Sequence, residues 1–281
     1  MMRIPTLIAA TACVMLTAVD SSAQTPSPAP TYSYADLADR ALIAPVAVIA
    51  TITEAIRLKP EQAPGVAPGH ARVYVEASAN TLIRGAGGLP PTLSYLADVP
   101  LDARGKVPKL KGQQVLLLAR PVPGKPGELQ LITPDAQMPL TPELEQRVRA
   151  ILTEALRSDA PPPITGITSA FHVDGTIPGE GETQIFLSTR EHRPISLSIL
   201  SRPGQERQWS VALGEIVDQA AKPPPKDSLL WYRLACGLPR ELPAGATGDL
   251  DADAARSARD DYGFVIEQLG PCTRNQPIKT S

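Results

Sequence analysis

The chain has 281 residues, a formal net charge of −2, 31 prolines and only 4% aromatic residues. A charge this near balance gives no electrostatic reason to expect nucleic acid or an anionic membrane as a partner. The length allows two domains, and with so few aromatics their cores must rest on Val, Ile, Leu and Ala.

Residues 1–23 have the pattern of a secretory signal peptide. Arg3 supplies a positive n-region, Ile4 to Val19 is uncharged and mostly apolar, and Ser21-Ser22-Ala23 places small residues before a cleavage point between Ala23 and Gln24. The apolar run is shorter than the roughly 20 residues of a bilayer span, so the mature chain is expected to carry no transmembrane segment. Residues 24–31 form a proline-rich leader with nothing to bury. These features are those of exported, periplasmic proteins of Gram-negative bacteria.

Residues 32–157 are expected to form a first domain. Tyr34 to Ala44 places Leu37, Ala41 and Leu42 on one helical face. Val46 to Ile56 and Arg72 to Ile83 alternate with strand period, the second with Val73, Val75, Ala77 and Ala79 on one face. Thr92–Val99, Gln114–Arg120 and Glu128–Thr133 are further strands, and antiparallel strands with a flanking helix favour a small barrel or half-open sandwich. Thr141 to Arg157 then predicts a helix. Leu144, Val148, Ile151, Leu152 and Ala155 form its stripe, Thr141 its N-cap, and Glu143–Arg147 and Glu145–Arg149 its i,i+4 pairs.

Three stretches of this domain, Val46–Ile52, Ala71–Arg84 and Leu110–Leu118, resemble secreted OB-like barrels of the netrin and metalloproteinase-inhibitor type. The resemblance implies a barrel. Inhibitors of that type begin with a cysteine that addresses the protease metal, and residues 32–157 contain no cysteine, so no inhibitory residue carries over.

Residues 158–163, ending in Pro161-Pro162-Pro163, are expected to be a linker that mild proteolysis would cut. A second β domain is expected over residues 164–274. Ile164–Val173, Gln184–Thr189, Ile195–Leu200 and Gln208–Leu213 are its strands, and Gly214–Ala221 a short helix. Leu229–Cys236 (LLWYRLAC) is the densest apolar run and is expected to be a central strand, with Trp209 and Trp231 as core fillers. A closing helix begins near Asp251 and ends at Gly270-Pro271, and the tail, residues 275–281, is expected to fray. The fold class is therefore mainly β with flanking helices (α+β): a small OB-like barrel, then a second antiparallel β module closed by a C-terminal helix. In an oxidising compartment Cys236 and Cys272 read as a disulfide, the alternative being two buried thiols.

Chemistry-bearing motifs are scarce. The three histidines are His70, His172 and His192. His172 and Asp174 lie two apart on a strand and His192 in a nearby loop, which makes these three the candidate ligands of a divalent metal that would activate water. No G-x-S-x-G, S-x-x-K, H-E-x-x-H or EF-hand pattern occurs. The leading expectation is an exported, non-catalytic binding or envelope-associated protein that needs no cofactor. Its partner would be another envelope protein or a small ligand, not nucleic acid. The alternatives are a metal-dependent hydrolase centred on His172, Asp174 and His192, and a protease inhibitor.

Overall fold

In the computed structural model, which describes residues 31–214, 221–276 and 278, the polypeptide starts on a tightly capped helix, α1 (Tyr34–Ala41). Ser33 Oγ accepts from Asp36 N–H, and the Asp36 carboxylate accepts in return from Ser33 N–H at 2.8 Å, so two otherwise orphaned donors are satisfied together. The expected signal segment, its cleavage point at Ala23–Gln24 and most of the expected helix Gly214–Ala221 lie outside the described residues.

A six-stranded antiparallel sheet follows: β1 (Val46–Arg57), β2 (His70–Arg84), β3 (Thr92–Pro100), β4 (Gln114–Pro121), β5 (Leu129–Leu131) and β6 (Gln137–Pro139). Its order is β3-β2-β1-β4-β5, with β6 also on β4. The alternation in β2 works as expected, with Val73, Val75 and Ala77 buried and Arg72 on the other face in a two-point pair with Asp98 of β3 (2.7 and 2.8 Å). The sheet does not close as a ladder. Its edges β3 and β5 approach each other through one isolated parallel bridge, Ser94–Glu128, and a Ser94 N–H to Gly127 C=O bond of 2.9 Å. Strand β6, missed in the sequence because it is only three residues long, pairs with β4 beyond β5.

Helix α2 (Pro142–Ala155) has the expected cap and stripe. Thr141 Oγ1 accepts from Leu144 N–H at 3.1 Å, Leu144, Val148, Ile151 and Leu152 are buried, and the two i,i+4 pairs form at 2.9 and 2.8 Å. A second, four-stranded antiparallel sheet follows, ordered β10-β9-β8-β7: β7 (Ile164–Asp174), β8 (Gly181–Thr189), β9 (Ile195–Ser201) and β10 (Gln208–Ala212). Leu229–Cys236 is not a central strand. Leu229–Gly237 is a helix, α3, capped by Ser228, whose hydroxyl accepts from Trp231 N–H at 3.2 Å. A short unbroken apolar run carries no period that separates strand from buried helix, and here a serine cap at one end and Pro239 just past the other define a helix. Trp209 and Trp231 are buried as expected, Trp231 Nε1 donating to Leu269 C=O at 2.8 Å. Helix α4 (Ala252–Leu269) closes the chain against β7 and β8, and Gly270, at φ +69°, ends it in backbone geometry that suits glycine.

The polypeptide from Thr31 onward gathers into one compact unit, and buried side chains of both sheets belong to one continuous core. Among the described residues, no helix is long and apolar enough to cross a membrane. Cys236 and Cys272 are joined by a disulfide with their Cα atoms 5.2 Å apart, tying the end of α3 to the segment after α4. Of the tail expected to fray, residues 277 and 279–281 lie outside the described residues, and its first two residues are tied down. Asn275 N–H and Gln276 N–H donate to the buried Asp36 carboxylate at 2.9 and 3.0 Å, and Arg274 pairs with Asp39 at 2.6 Å, so residues more than 230 positions apart clasp at α1. The local sequence of the tail is polar and carries no packing signal, because its partners are two acids at the far end of the chain.

Two outcomes follow. The disulfide spans 36 positions, and the chain-entropy cost of opening such a loop is up to about 4 kcal/mol. Reduction should therefore lower the calorimetric melting temperature by roughly 8–15 °C, and an unchanged transition would mean that the clasp holds without it. In the 158–163 linker, the Ala160, Pro161 and Pro163 carbonyls are all held by donors from elsewhere (2.6, 3.3 and 3.0 Å), so mild proteolysis is expected to spare it. Release of two stable fragments cut there would instead establish independent halves.

Candidate functional site

The strand register makes His172 of β7 and Thr183 of β8 direct neighbours. Thr183 is fully buried, and its hydroxyl donates to the Asp261 carboxylate of α4. That hydroxyl has one proton, so the 2.7 Å contact from His172 Nδ1 to Thr183 Oγ1 places a proton on Nδ1. The other ring nitrogen, Nε2, faces the exposed carboxylate of Asp174 at 3.3 Å. Gly181 leaves space for the ring, since a Cβ there would stand 3.0 Å from Cε1. The remaining Asp261 oxygen pairs with Arg207 Nε at 3.2 Å, and the Arg207 guanidinium lies 5.3 Å from the centre of the Phe264 ring.

His172 and Asp174 are thus brought together, and His192 is not. His192 occupies the β8–β9 turn at φ +58°, past Thr189, whereas His172 lies near the opposite end of β8. The six residue steps from Thr183 to Thr189 span roughly 20 Å. A strand pairs residues by register, and closeness in sequence to β8 placed His192 at its wrong end. Among the described residues no group of three or more His, Cys, Asp or Glu side chains is arranged to hold a metal ion. The third histidine, His70, turns its Nδ1 to Pro68 C=O at 3.1 Å. What the β7–β8–α4 cluster does is join a helix to a sheet. Its buried polar atoms satisfy one another, and the side chain facing Nε2 among the described residues is a carboxylate, not a nucleophile.

The second locus is a cleft of about 390 Å³ at the junction of the two sheets. The C-terminal end of α2 (Ala155, Arg157), the Pro161-Pro162-Pro163 segment, the β8–β9 turn (Glu191, Arg193) and Leu229 and Arg233 of α3 line it. Leu229 and Arg233 stand one helical turn apart, so α3 presents both to the same opening. The helix is set in place from two sides. Leu229 N–H donates to Glu154 Oε2 of α2 at 2.7 Å, and Tyr232 O–H donates to Asp39 Oδ1 of α1 at 2.6 Å. Burial, and then the hydrogen bond and charge of Asp39, push the Tyr232 phenol well above its ordinary pKa, so it remains a donor.

Within the cleft the arginines differ. Arg157 is paired with Asp159 at 2.8 Å, and Arg193 with Glu191 at 3.3 Å while also donating to the Ala160 carbonyl at 2.6 Å. Arg233 donates through Nε to Pro161 C=O at 3.3 Å and lies 5.7 Å from the centre of the Tyr232 ring. Among the described residues its two terminal nitrogens bond to nothing, and no carboxylate stands within ion-pair distance. None of this was found in the sequence. The available signal was one arginine inside the densest apolar run, next to a proline segment that reads as no more than a hinge.

The cluster at His172 makes a sharp stability prediction. Asp261→Ala removes the acceptor of a buried hydroxyl and the partner of Arg207, and should cost about 3 kcal/mol in urea denaturation. A loss below about 0.5 kcal/mol would show that the network does not hold α4. Because His192 lies apart, His172→Ala is expected to leave the metal content of the purified protein unchanged in elemental analysis. One zinc per chain, lost on that substitution, would restore the metal centre.

No protein-family model matches the chain, and no curated protein matches it as a relative, so the functional conclusion rests on the residues of the chain itself.

Proposed function

We propose that this is an exported, non-catalytic binding protein of the periplasm whose small ligand seats in the junction cleft. The observation that carries the proposal is Arg233: a half-buried guanidinium, oriented by Pro161 C=O and Tyr232, facing a walled opening with its terminal nitrogens unused by the described residues. Structural arginines that leave solvent ordinarily find carboxylates, as Arg40 does with Asp135 at 3.0 Å. At about 390 Å³ the cleft lies within the size range of small-molecule sites, roughly 300–1,000 Å³.

The export half of the proposal is supported by the apolar N-terminal stretch and by the Cys236–Cys272 bond, which an oxidising compartment preserves. The order β3-β2-β1-β4-β5, together with the Ser94–Glu128 parallel bridge, supports taking the first sheet as an incompletely closed barrel of the OB type. In this assignment the barrel is a scaffold that presents α2 and the proline segment to the second sheet. The hydrolase alternative is not favoured by the separation of His192 from His172, and no residue supports the inhibitor alternative.

Native mass spectrometry of the protein purified from the periplasm under non-denaturing conditions tests the assignment. An adduct of fixed mass is expected on the wild type and is expected to be absent from Ala155→Trp, which fills the cleft. An adduct that survives Ala155→Trp would place the ligand elsewhere, and a bare chain in both cases would remove the assignment.

A further inference from the structure

We infer that the junction cleft is an oxyanion site, in which Arg233 holds the carboxylate or phosphate group of a small organic anion. The inference rests on the cleft being the ligand site and adds the chemical class of the ligand.

The cleft wall has a one-sided hydrogen-bonding inventory. Pro161, Pro162 and Pro163 have no N–H to offer. The wall's acceptors are largely occupied. Ala160 C=O is taken by Arg193 Nη2 at 2.6 Å, Pro161 C=O by Arg233 Nε at 3.3 Å and Pro163 C=O by Arg190 N–H at 3.0 Å. The donors left open are the terminal guanidinium N–H groups of Arg233, beside the Pro162 carbonyl and the Ser158 hydroxyl, so a ligand that accepts hydrogen bonds is matched by a charged fork.

The charges are equally one-sided. Arg157 and Arg193 are neutralised by Asp159 and Glu191. Arg233 has no carboxylate within ion-pair distance among the described residues. Burial, with the charge of Arg190 adding and those of Tyr232, Tyr34 and Glu191 opposing, lowers the Arg233 pKa from its ordinary value. An incoming anion would relieve both penalties at once. A metal ion finds only Glu191 as an anionic lining group, against three arginines.

The geometry also selects the type of anion. With Nε anchored on the Pro161 carbonyl and the plane set against Tyr232, the two terminal nitrogens form a fixed fork, the arrangement that takes two oxygens of one carboxylate or phosphate. The cleft is several times larger than one such group, which leaves room for the rest of a small organic molecule.

Isothermal titration of the full mature, disulfide-bonded chain tests this with succinate and with inorganic phosphate at matched ionic strength, and with succinamide as the neutral analogue. Saturable binding of at least one oxyanion is expected, with none of succinamide. Succinate alone would identify a carboxylate ligand, and phosphate alone a phosphorylated one. Arg233→Gln should weaken binding at least tenfold, and Arg233→Lys less, because lysine keeps the charge and loses the fork. Wild-type affinity in Arg233→Gln would overturn the oxyanion assignment, and so would succinamide binding as tightly as succinate. If neither oxyanion binds at about 10 mM while the native adduct still disappears in Ala155→Trp, the cleft remains the site and its oxyanion chemistry is wrong.

Discussion

The buried carboxylate of Asp36 is the point on which the chain closes. It accepts from Ser33 N–H and Ser33 Oγ at the start of α1 and from Asn275 N–H and Gln276 N–H at the far end of the polypeptide. A carboxylate without water is costly unless its oxygens are bonded, and four donors meet that requirement here without a cation. One of those pairs is local and forms with the helix. The other exists only once the chain has folded around it. Removing the tail would therefore leave a buried charge half-satisfied, which costs more than the bonds themselves contribute.

The clasp reaches the candidate site through Asp39, one helical turn along α1. Asp39 accepts from Tyr232 of α3 at 2.6 Å and pairs with Arg274 of the tail at 2.6 Å, while Cys236 of the same helix is bonded to Cys272. Helix α3 is thus held by α1 on one side, by the tail at its end and by Glu154 of α2 at its start. Arg233 follows Tyr232 on this helix, and its guanidinium lies 5.7 Å from the centre of the ring that Asp39 holds. This is the support that a preorganised binding group needs: a rotamer set by neighbours on rigid elements instead of by its ligand.

Much of the architecture was legible in the sequence because its signals are periodic. The α2 stripe, the alternation along β2, the four strands of the second sheet and the closing helix each carry a repeat that survives without knowledge of the partners. Leu229–Cys236 reads as a strand because eight nearly unbroken apolar residues fit either state, and a lone serine before them is a weak signal until its bond to Trp231 N–H is seen. The tail was expected to fray because its bonds run to acids at the opposite end of the chain. In the first sheet, strand identity was legible, but closure was not. Whether β3 and β5 ladder together depends on the glycine- and proline-rich turns between them, where side-chain pattern carries no register. The site was the least legible part. His172 and Asp174 stood out by residue type, yet Thr183 and Asp261, which fix the ring, are an ordinary threonine and one acid among 29 Asp and Glu.

Both loci hold polar groups away from water, and they differ in what is left over. Around His172 the hydroxyl proton, both oxygens of Asp261 and the Nδ1 proton have partners inside the protein, and Nε2 faces the exposed Asp174 carboxylate. The buried part of this network is filled from within, and it rigidifies the place where α4 meets the sheet. Around Arg233 the accounting does not close from the described residues: the backbone acceptors are used, the neighbouring acids are engaged by other arginines, and two forked donors remain. The helical state of α3 is what makes this possible. In a strand, the side chain of Arg233 would share a face with those of Leu229 and Trp231, alternating with Leu230 and Tyr232. On a helix, Trp231 and Leu234 turn into the core while Leu229 and Arg233 share the edge over the proline segment. A charged residue inside an apolar run is tolerable there because it leaves the core at the junction cleft, and an anion in that cleft would supply the partner that the described residues do not.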